Sequence, residues 1–331
     1  MADLVHLAFV RAPEQQKMFR TEPAHIEAAL ARCKLPLPPL DFTVRLTTDP
    51  DLPAVVERSL ALTGFRIPTE LIQRTQGALR LVQLTGAGLE HLMPLAWLPD
   101  RVALANASGI HAAKVEQSAV MTLLMLQARM PQLATAQREH AWTPLHSGSI
   151  AGKSALIFGV GGIGAALARG AKQLGLAVTG VRRSPAATEP FDAVIGVTEA
   201  LARLGAFDFV LLALPLTAET KGMLGAADFA RMRPDAGFAN FGRGGLIDQD
   251  ALIQTLRDGH LSGAMLDVTT PEPLPADSPL WDAPRLLITP HVACDDPETY
   301  VADALDLFLD NVYRLLHGQP LRNLVDRTLG Y

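Results

Sequence analysis

Three side chains in the second half of the chain have types that could work together on a polar substrate. Arg243 lies in Phe241-Gly242-Arg243-Gly244-Gly245, Glu272 in Pro271-Glu272-Pro273, and His291 after Thr289-Pro290. A guanidinium fork can hold a carboxylate and polarise a carbonyl oxygen. An imidazole can donate or accept a proton near neutral pH, and a carboxylate beside it orients the ring and favours its charged form. Each residue alone also has a plain structural reading: a surface arginine between glycines, a histidine in a turn, a common Glu-Pro pair. Together they follow successive apolar runs, and the carboxyl ends of strands are where open α/β sheets gather ligands.

Such chemistry on a carbonyl needs a hydride source, and the upstream sequence supplies a place for one. Residues 154–184 read SALIFGVGGIGAALARGAKQLGLAVTGVRRS. An apolar run leads into Gly159-x-Gly161-x-x-Gly164, with Gly162 and Ile163 inside the motif; an alanine-rich helical stretch and a second apolar run, 177–181, follow. Strand, glycine turn, helix and strand in that order is the context in which this motif binds a dinucleotide. Gly159 permits the tight turn, Gly161 lets the backbone approach a pyrophosphate, and Gly164 allows close packing of helix on strand. The helix N-terminus offers free N–H groups to the phosphates. After the second run no Asp or Glu stands between Val181 and Glu189; Arg182, Arg183 and Ser184 are there instead. Two guanidinium groups and a hydroxyl suit a ribose 2′-phosphate, so NADP(H) is the expected cofactor and NAD(H) the alternative.

The elements that must position these groups alternate between strand and helix. Residues 4–10, 42–46, 60–62, 79–84 and 102–104 read as strands, and 22–33 and 70–74 as helical, which makes a small parallel α/β domain. Thr85-Gly86-Ala87-Gly88 is either plain turn chemistry or a set of backbone N–H groups for an anion. A long helix runs from His111 to about Met130, apolar almost all round over 119–126, and Pro131 ends or kinks it. Residues 131–149 read as an irregular arm anchored by Trp142 and Pro144. Residues 185–206 are weakly patterned apart from a short helix near 198–204. Strands follow at 207–214, 237–240, 264–268 and 286–288, with helices at 226–232 and 249–257. The last helix, about 297–316, carries an apolar stripe (Val301, Leu305, Phe308, Val312, Leu315) that could pack back on the first domain. The expected fold is therefore α/β with two Rossmann-like, doubly wound parallel sheets and a cleft between them. A discontinuous, flavodoxin-like substrate domain takes 1–103 plus 294–331, and a dinucleotide-binding domain takes 104–293.

The segments GVGGIG, LPLTAETKGML, NFGRGGLID, GAMLDVTTPEPLPADSPLW and ITPHVA resemble, in order and spacing, the D-isomer-specific 2-hydroxyacid dehydrogenase family. The likeness is good over roughly 79–316, loose over the first 75 residues, and strongest to the NADPH-preferring glyoxylate/hydroxypyruvate reductases. It implies that Arg243 binds the substrate carboxylate and carbonyl, that His291 is the proton donor, and that Glu272 is its partner. It further implies backbone N–H groups of Ala87 and Gly88 on the carboxylate, and Asp267 near the nicotinamide amide. Leu214, Pro215, Thr220, Phe241, Gly242 and Ala293 would line the cofactor site. A homodimer would form through helix 111–130 and the arm around Trp142. Departures from the family pattern are Glu90, Ser108, Thr269 and Cys294-Asp295-Asp296; none removes a catalytic group. The same fold and triad also serve enzymes acting on phosphoglycerate, phosphite or formate, and the family includes non-catalytic nicotinamide-binding corepressors.

Bulk properties agree with a small-molecule oxidoreductase. The 331 residues suffice for two domains; 49% are hydrophobic and 19% charged, and the net charge of −5 gives no reason to expect nucleic acid or an anionic membrane. Cys33 and Cys294 are far apart, so neither a disulfide framework nor a cysteine zinc site is expected. The first residues read as a strand rather than a signal peptide, and no run reaches the ~18 apolar residues of a membrane span. A cytoplasmic enzyme is expected.

Overall fold

A computed structural model describes residues 4–328. The chain divides into two units, 1–110 with 296–331, and 111–295.

In the first unit, β1 (Val5–Arg11), β2 (Leu40–Leu46), β3 (Ala61–Gly64), β4 (Leu81–Leu84) and β5 (Ala103–Ala105) form one parallel sheet in the order β2-β1-β3-β4-β5. This is the flavodoxin-like order, with its switch point between β1 and β3. Helices α1 (Pro23–Arg32), α2 (Leu52–Arg58) and α3 (Thr69–Arg74) connect the strands. Central strands β3 and β4 are buried throughout, as strands covered on both faces must be. β5 pairs with β4 and touches Leu324 through a bridge. It and the following loop therefore belong to this unit, and the division falls at 110/111 and 295/296 rather than at 103/104 and 293/294.

In the second unit, α4 (Ala112–Gln127) and α5 (Met130–Arg138) precede β6 (Ser154–Phe158), α6 (Gly162–Gln173), β7 (Ala177–Val181), β8 (Ala193–Ile195), α7 (Val197–Ala202), β9 (Phe209–Leu212), α8 (Ala226–Arg231), β10 (Gly237–Asn240), α9 (Gln249–Arg257), β11 (Gly263–Leu266) and β12 (Leu286–Ile288). All seven strands are parallel, in the order β12-β11-β10-β9-β6-β7-β8. The direction of winding reverses between β6 and β9, beside the glycine turn that follows β6. Helix α6 lies close against α4: a Cβ at Gly170 would come within 2.7 Å of Glu116 O and 2.8 Å of the Ala119 Cβ.

The last helix, α10 (Tyr300–Leu316), returns to the first unit. Its buried residues (Tyr300, Ala304, Leu305, Phe308, Leu309, Asn311, Val312) recur at helical spacing, and Leu305, Phe308, Leu309 and Val312 join Leu7, Phe9, Ala61 and Leu81 in one core. Phe308 is fully buried with its ring 5.5 Å from that of Phe9. Truncating such a ring to alanine costs on the order of 3–5 kcal/mol.

The structure corrects three local expectations. The helix expected over 111–130 ends at Gln127, because Arg129 adopts a left-handed φ of 56°. A second helix starts at Met130, and Pro131 sits in its first turn, where a missing N–H costs nothing. Of the arm expected over 131–149, residues 131–138 are helical and 139–149 are irregular. The region 185–206 contains an edge strand, β8, and 52–58 a helix that the sequence pattern did not reveal.

Candidate active site

The glycine turn obeys its assigned geometry. Gly159 has φ of 105°, and a Cβ there would lie 2.5 Å from Ala213 O. A Cβ at Gly164 would run into Gly159 O. Gly161 differs: its φ of −76° and ψ of −166° suit any residue, and a Cβ would meet nothing within 4 Å. No protein contact demands glycine at 161, so the open space there fits a ligand whose phosphates approach the backbone. Gly161 is the N-cap of α6 and no side chain caps that helix, which leaves the first-turn N–H groups, from Gly162 and Ile163 onward, to a ligand.

Arg182, Arg183 and Ser184 follow β7 and are exposed. Arg183 Nη1 stands 3.8 Å from a Glu219 carboxylate oxygen. Leu214 and Pro215 follow β9. The Thr220 hydroxyl donates to Pro215 O at 2.7 Å and accepts from Thr217 N at 2.8 Å, so Thr220 serves to shape this loop.

At the end of β10, buried Asn240 ties the arginine loop. Its Nδ2 donates to Arg243 O (2.9 Å) and its Oδ1 accepts from Gly242 N (3.0 Å). Phe241, buried, continues the strand by donating its N–H to Leu212 O. A Cβ at Gly244 would overlap the Thr269 backbone, so this loop lies directly on the one after β11. That is why glycine flanks Arg243.

Asp267 follows β11 and is 4% exposed. Its Oδ1 accepts from the Thr289 hydroxyl (2.7 Å), Val292 N (3.0 Å) and Ala293 N (3.0 Å). Its Oδ2 is buried without a partner. A buried carboxylate oxygen facing no donor is costly unless a ligand N–H completes it. The bare acceptor therefore fits the N–H of a nicotinamide carboxamide.

The same carboxylate builds the histidine turn. His291 holds a left-handed φ of 55°, and its N–H donates to Asp267 O at 2.8 Å. Such a conformation costs on the order of 1 kcal/mol in a non-glycine residue and persists where its surroundings dictate it. Ser118 of α4 donates to Ala293 O at 2.5 Å and fixes the far side of the turn. The imidazole Nδ1 lies 3.0 Å from Glu272 Oε2, while Glu272 Oε1 accepts from Thr269 N at 3.0 Å. With one carboxylate oxygen anchored to the backbone, the other can only hold the ring. Both side chains remain partly exposed, at 44% and 38%.

Cys294 and Asp295 complete the turn. Burial pushes the Cys294 thiol up to about 12, with the charges of Asp267 and Asp295 adding to the effect, so it stays protonated and unreactive. Burial likewise raises Asp295 above the ordinary carboxylate range.

The second unit thus brings together Arg243, Asp267, Glu272, His291 and Ala293 with the glycine turn. Ala87 and Gly88 lie in the first unit, half-buried in the loop after β4; Asn106 Nδ2 donates to Ala87 O at 3.0 Å and steadies that loop. Asn240 and Thr289 escaped the sequence reading. The signal was a short polar residue closing an apolar strand, which is as common in turns as in sites. Among the described residues no group of three His, Cys, Asp or Glu side chains could hold a metal ion, and no helix is long and apolar enough to cross a membrane.

Residues 120–293 match the model of the D-isomer specific 2-hydroxyacid dehydrogenase NAD binding domain. The chain is 30% identical over 273 residues to glyoxylate/hydroxypyruvate reductase A of Serratia proteamaculans, covering 81% of this chain and 86% of that protein. Among solved structures it resembles a D-isomer specific 2-hydroxyacid dehydrogenase from Xanthobacter autotrophicus in complex with NADPH and MES. That similarity has a TM-score of 0.82 and 30% identity over 98% of this chain and 99% of the other. An NADPH-dependent glyoxylate/hydroxypyruvate reductase from Sinorhizobium meliloti, solved with NADP and sulfate, matches with a TM-score of 0.77 and 29% identity over 98% and 99% of the two chains.

Proposed function

Because the chain belongs to the D-isomer specific 2-hydroxyacid dehydrogenase family and is thereby an NAD(P)-dependent oxidoreductase, we propose that it reduces a small 2-keto acid of the glyoxylate or hydroxypyruvate type to the D-2-hydroxy acid, with NADPH as reductant. The observation that carries this reading is the 3.0 Å contact between His291 Nδ1 and Glu272 Oε2. With Nδ1–H held by the carboxylate, Nε2 is the atom that gives the transferable proton to the carbonyl oxygen. The Arg243 fork orients the keto acid and polarises its carbonyl. The N–H groups of Ala87 and Gly88 are the first unit's own candidates for a substrate carboxylate. The nicotinamide, when bound, supplies the hydride.

Gly159, Gly161, Gly162, Ile163 and Gly164 would hold the pyrophosphate, Asp267 the carboxamide, and Leu214, Pro215, Phe241, Gly242 and Ala293 the walls. Arg182, Arg183 and Ser184 favour NADPH over NADH, since they offer two guanidinium groups and a hydroxyl to a 2′-phosphate, although Arg183 also faces Glu219 at 3.8 Å. The unit 1–110 with 296–331 takes the role of substrate domain. A homodimer is supported by large apolar side chains exposed on α4, α5 and the arm: Met121 and Leu124 at 44%, Met130 at 41% and Trp142 at 98%. Sedimentation at a single-chain mass would overturn the dimer.

The test is oxidation of NADPH and NADH against a panel of 2-keto acids, with the His291→Ala variant beside the parent protein. The reading expects turnover of glyoxylate or hydroxypyruvate that His291→Ala removes while NADPH still binds. Full activity in that variant, or NADPH binding with no turnover of any keto acid, refutes it.

A further inference from the structure

Three aromatic rings at the carboxyl-end loops of the first unit play no part in the reaction derived above. Phe19, in the loop after β1, stacks on Phe65, directly after β3, with centroids 5.4 Å apart and planes at 16°. Phe19 also meets Tyr300, the first residue of α10, edge-on at 4.7 Å and 73°. Tyr300 is 2% exposed, whereas Phe19 and Phe65 each keep part of their surface open. Stacked and edge-on rings at these spacings form a preferred aromatic arrangement, and the part-exposed surface of Phe19 and Phe65 is what it offers to a further flat ring.

The cluster adjoins the loop assigned to the substrate carboxylate. A Cβ at Gly86 would lie 3.2 Å from Phe65 Cε2 and 3.6 Å from the Tyr300 hydroxyl oxygen. Gly86 precedes Ala87 by one peptide unit, about 3.8 Å between Cα atoms. An acid held by the Ala87 and Gly88 N–H groups therefore carries the rest of its carbon chain within reach of these rings. Charge in the neighbourhood is mixed. Arg66, next to Phe65, is exposed; Glu90 and His91 stand in the turn after the loop, and burial followed by the Arg66 charge holds His91 below its usual range. A neutral imidazole, one cation and one carboxylate do not make a receptor for a second carboxylate.

Resting on the 2-keto acid reading but widening its substrate class, we propose that the open faces of Phe19 and Phe65, backed by buried Tyr300, form the subsite for the substrate's C3 substituent. The group it takes is aryl or similarly flat and apolar, so that arylpyruvates are better substrates than glyoxylate.

Steady-state kinetics with NADPH on glyoxylate, phenylpyruvate and 2-ketoglutarate test this. The expected result is a kcat/KM for phenylpyruvate at least about tenfold above that for glyoxylate. Phe65→Ala and Phe19→Ala should each lower the phenylpyruvate value about tenfold further than the glyoxylate value, with KM bearing much of the change. If those variants fail to fold, the parent protein's ratio decides alone. Turnover of glyoxylate with an equal or poorer value for phenylpyruvate overturns the subsite and leaves the reaction standing. So does a preference for 2-ketoglutarate. No turnover of any of the three or of hydroxypyruvate overturns the reaction itself and the subsite with it.

Discussion

Replacing Glu272 by glutamine probes the site with one atom changed. Its two oxygens have distinct tasks: Oε1 accepts from Thr269 N and Oε2 faces His291 Nδ1, both at 3.0 Å. In Glu272→Gln one of those places becomes an NH2. If the amide keeps its oxygen on Thr269, its NH2 faces Nδ1 and forces the neutral ring to hold its proton on Nε2 alone. If it turns over, two N–H groups oppose each other at Thr269. Either way the charge-assisted bond to the imidazolium is lost, a contact worth about 1.5–3 kcal/mol. The side chains are 44% and 38% exposed, so solvent screening places the loss near the lower end, about 1.5–2 kcal/mol. At ~1.4 kcal/mol per decade this is a fall of about 10- to 30-fold in kcat/KM. NADPH oxidation at 340 nm, a wavelength set by the cofactor rather than the protein, gives the rate. Quenching or enhancement of NADPH fluorescence gives the binding, which should not change. A variant retaining more than half of the parent kcat/KM would show that the pair does not serve catalysis. A parallel loss of NADPH affinity would show that the loop, not the proton donor, had been damaged.

Other outcomes follow from separate parts of the structure. Gly161→Ala has room for its methyl and an ordinary φ, so the apo protein should lose no more than the ~1 kcal/mol that alanine costs at an N-cap, while the Kd for NADPH rises at least about tenfold; a larger loss of stability would contradict the open space seen there. Arg182→Ala with Arg183→Ala should weaken NADPH about tenfold more than NADH, and equal losses measured by fluorescence titration would refute the 2′-phosphate assignment. His6, 9% exposed, has Nδ1 2.8 Å from Ser59 Oγ and Nε2 2.7 Å from Thr43 Oγ1, with Arg58 and Asp41 as its charged neighbours. Burial and then the Arg58 charge hold it below its usual range, so below about pH 6.5 the unfolded chain takes up a proton that the folded one refuses. Stability is then complete above that pH and falls as the pH drops; urea midpoints in His6→Gln should show a shallower fall between pH 7 and 5, and an unchanged slope would refute the cause.

Much of this protein is legible in the order of its residues because the relevant rules are local. Gly159 and Gly164 announce a tight turn and a close helix through chemistry confined to six residues, and both meet backbone where they were expected to. The apolar stripe of α10 predicts its burial against another element, since periodicity reports which face of a helix avoids water. Arg243, Glu272 and His291 could be singled out because each follows a strand-like run. Their residue types could not show that Glu272 spends one oxygen on Thr269 and the other on His291, because that depends on how far two loops approach once β11 and β12 are in register. The same holds for Asp267: only the fold gathers Thr289, Val292 and Ala293 on one of its oxygens and leaves the other bare. Local signals failed where local forces are weak. β8 is a three-residue edge strand held by its partner β7, and the helix break at Arg129 puts a proline into a first turn where the sequence alone reads it as an end. Contacts between residues distant along the chain are decided by strand order and packing, and composition along one segment carries no record of them.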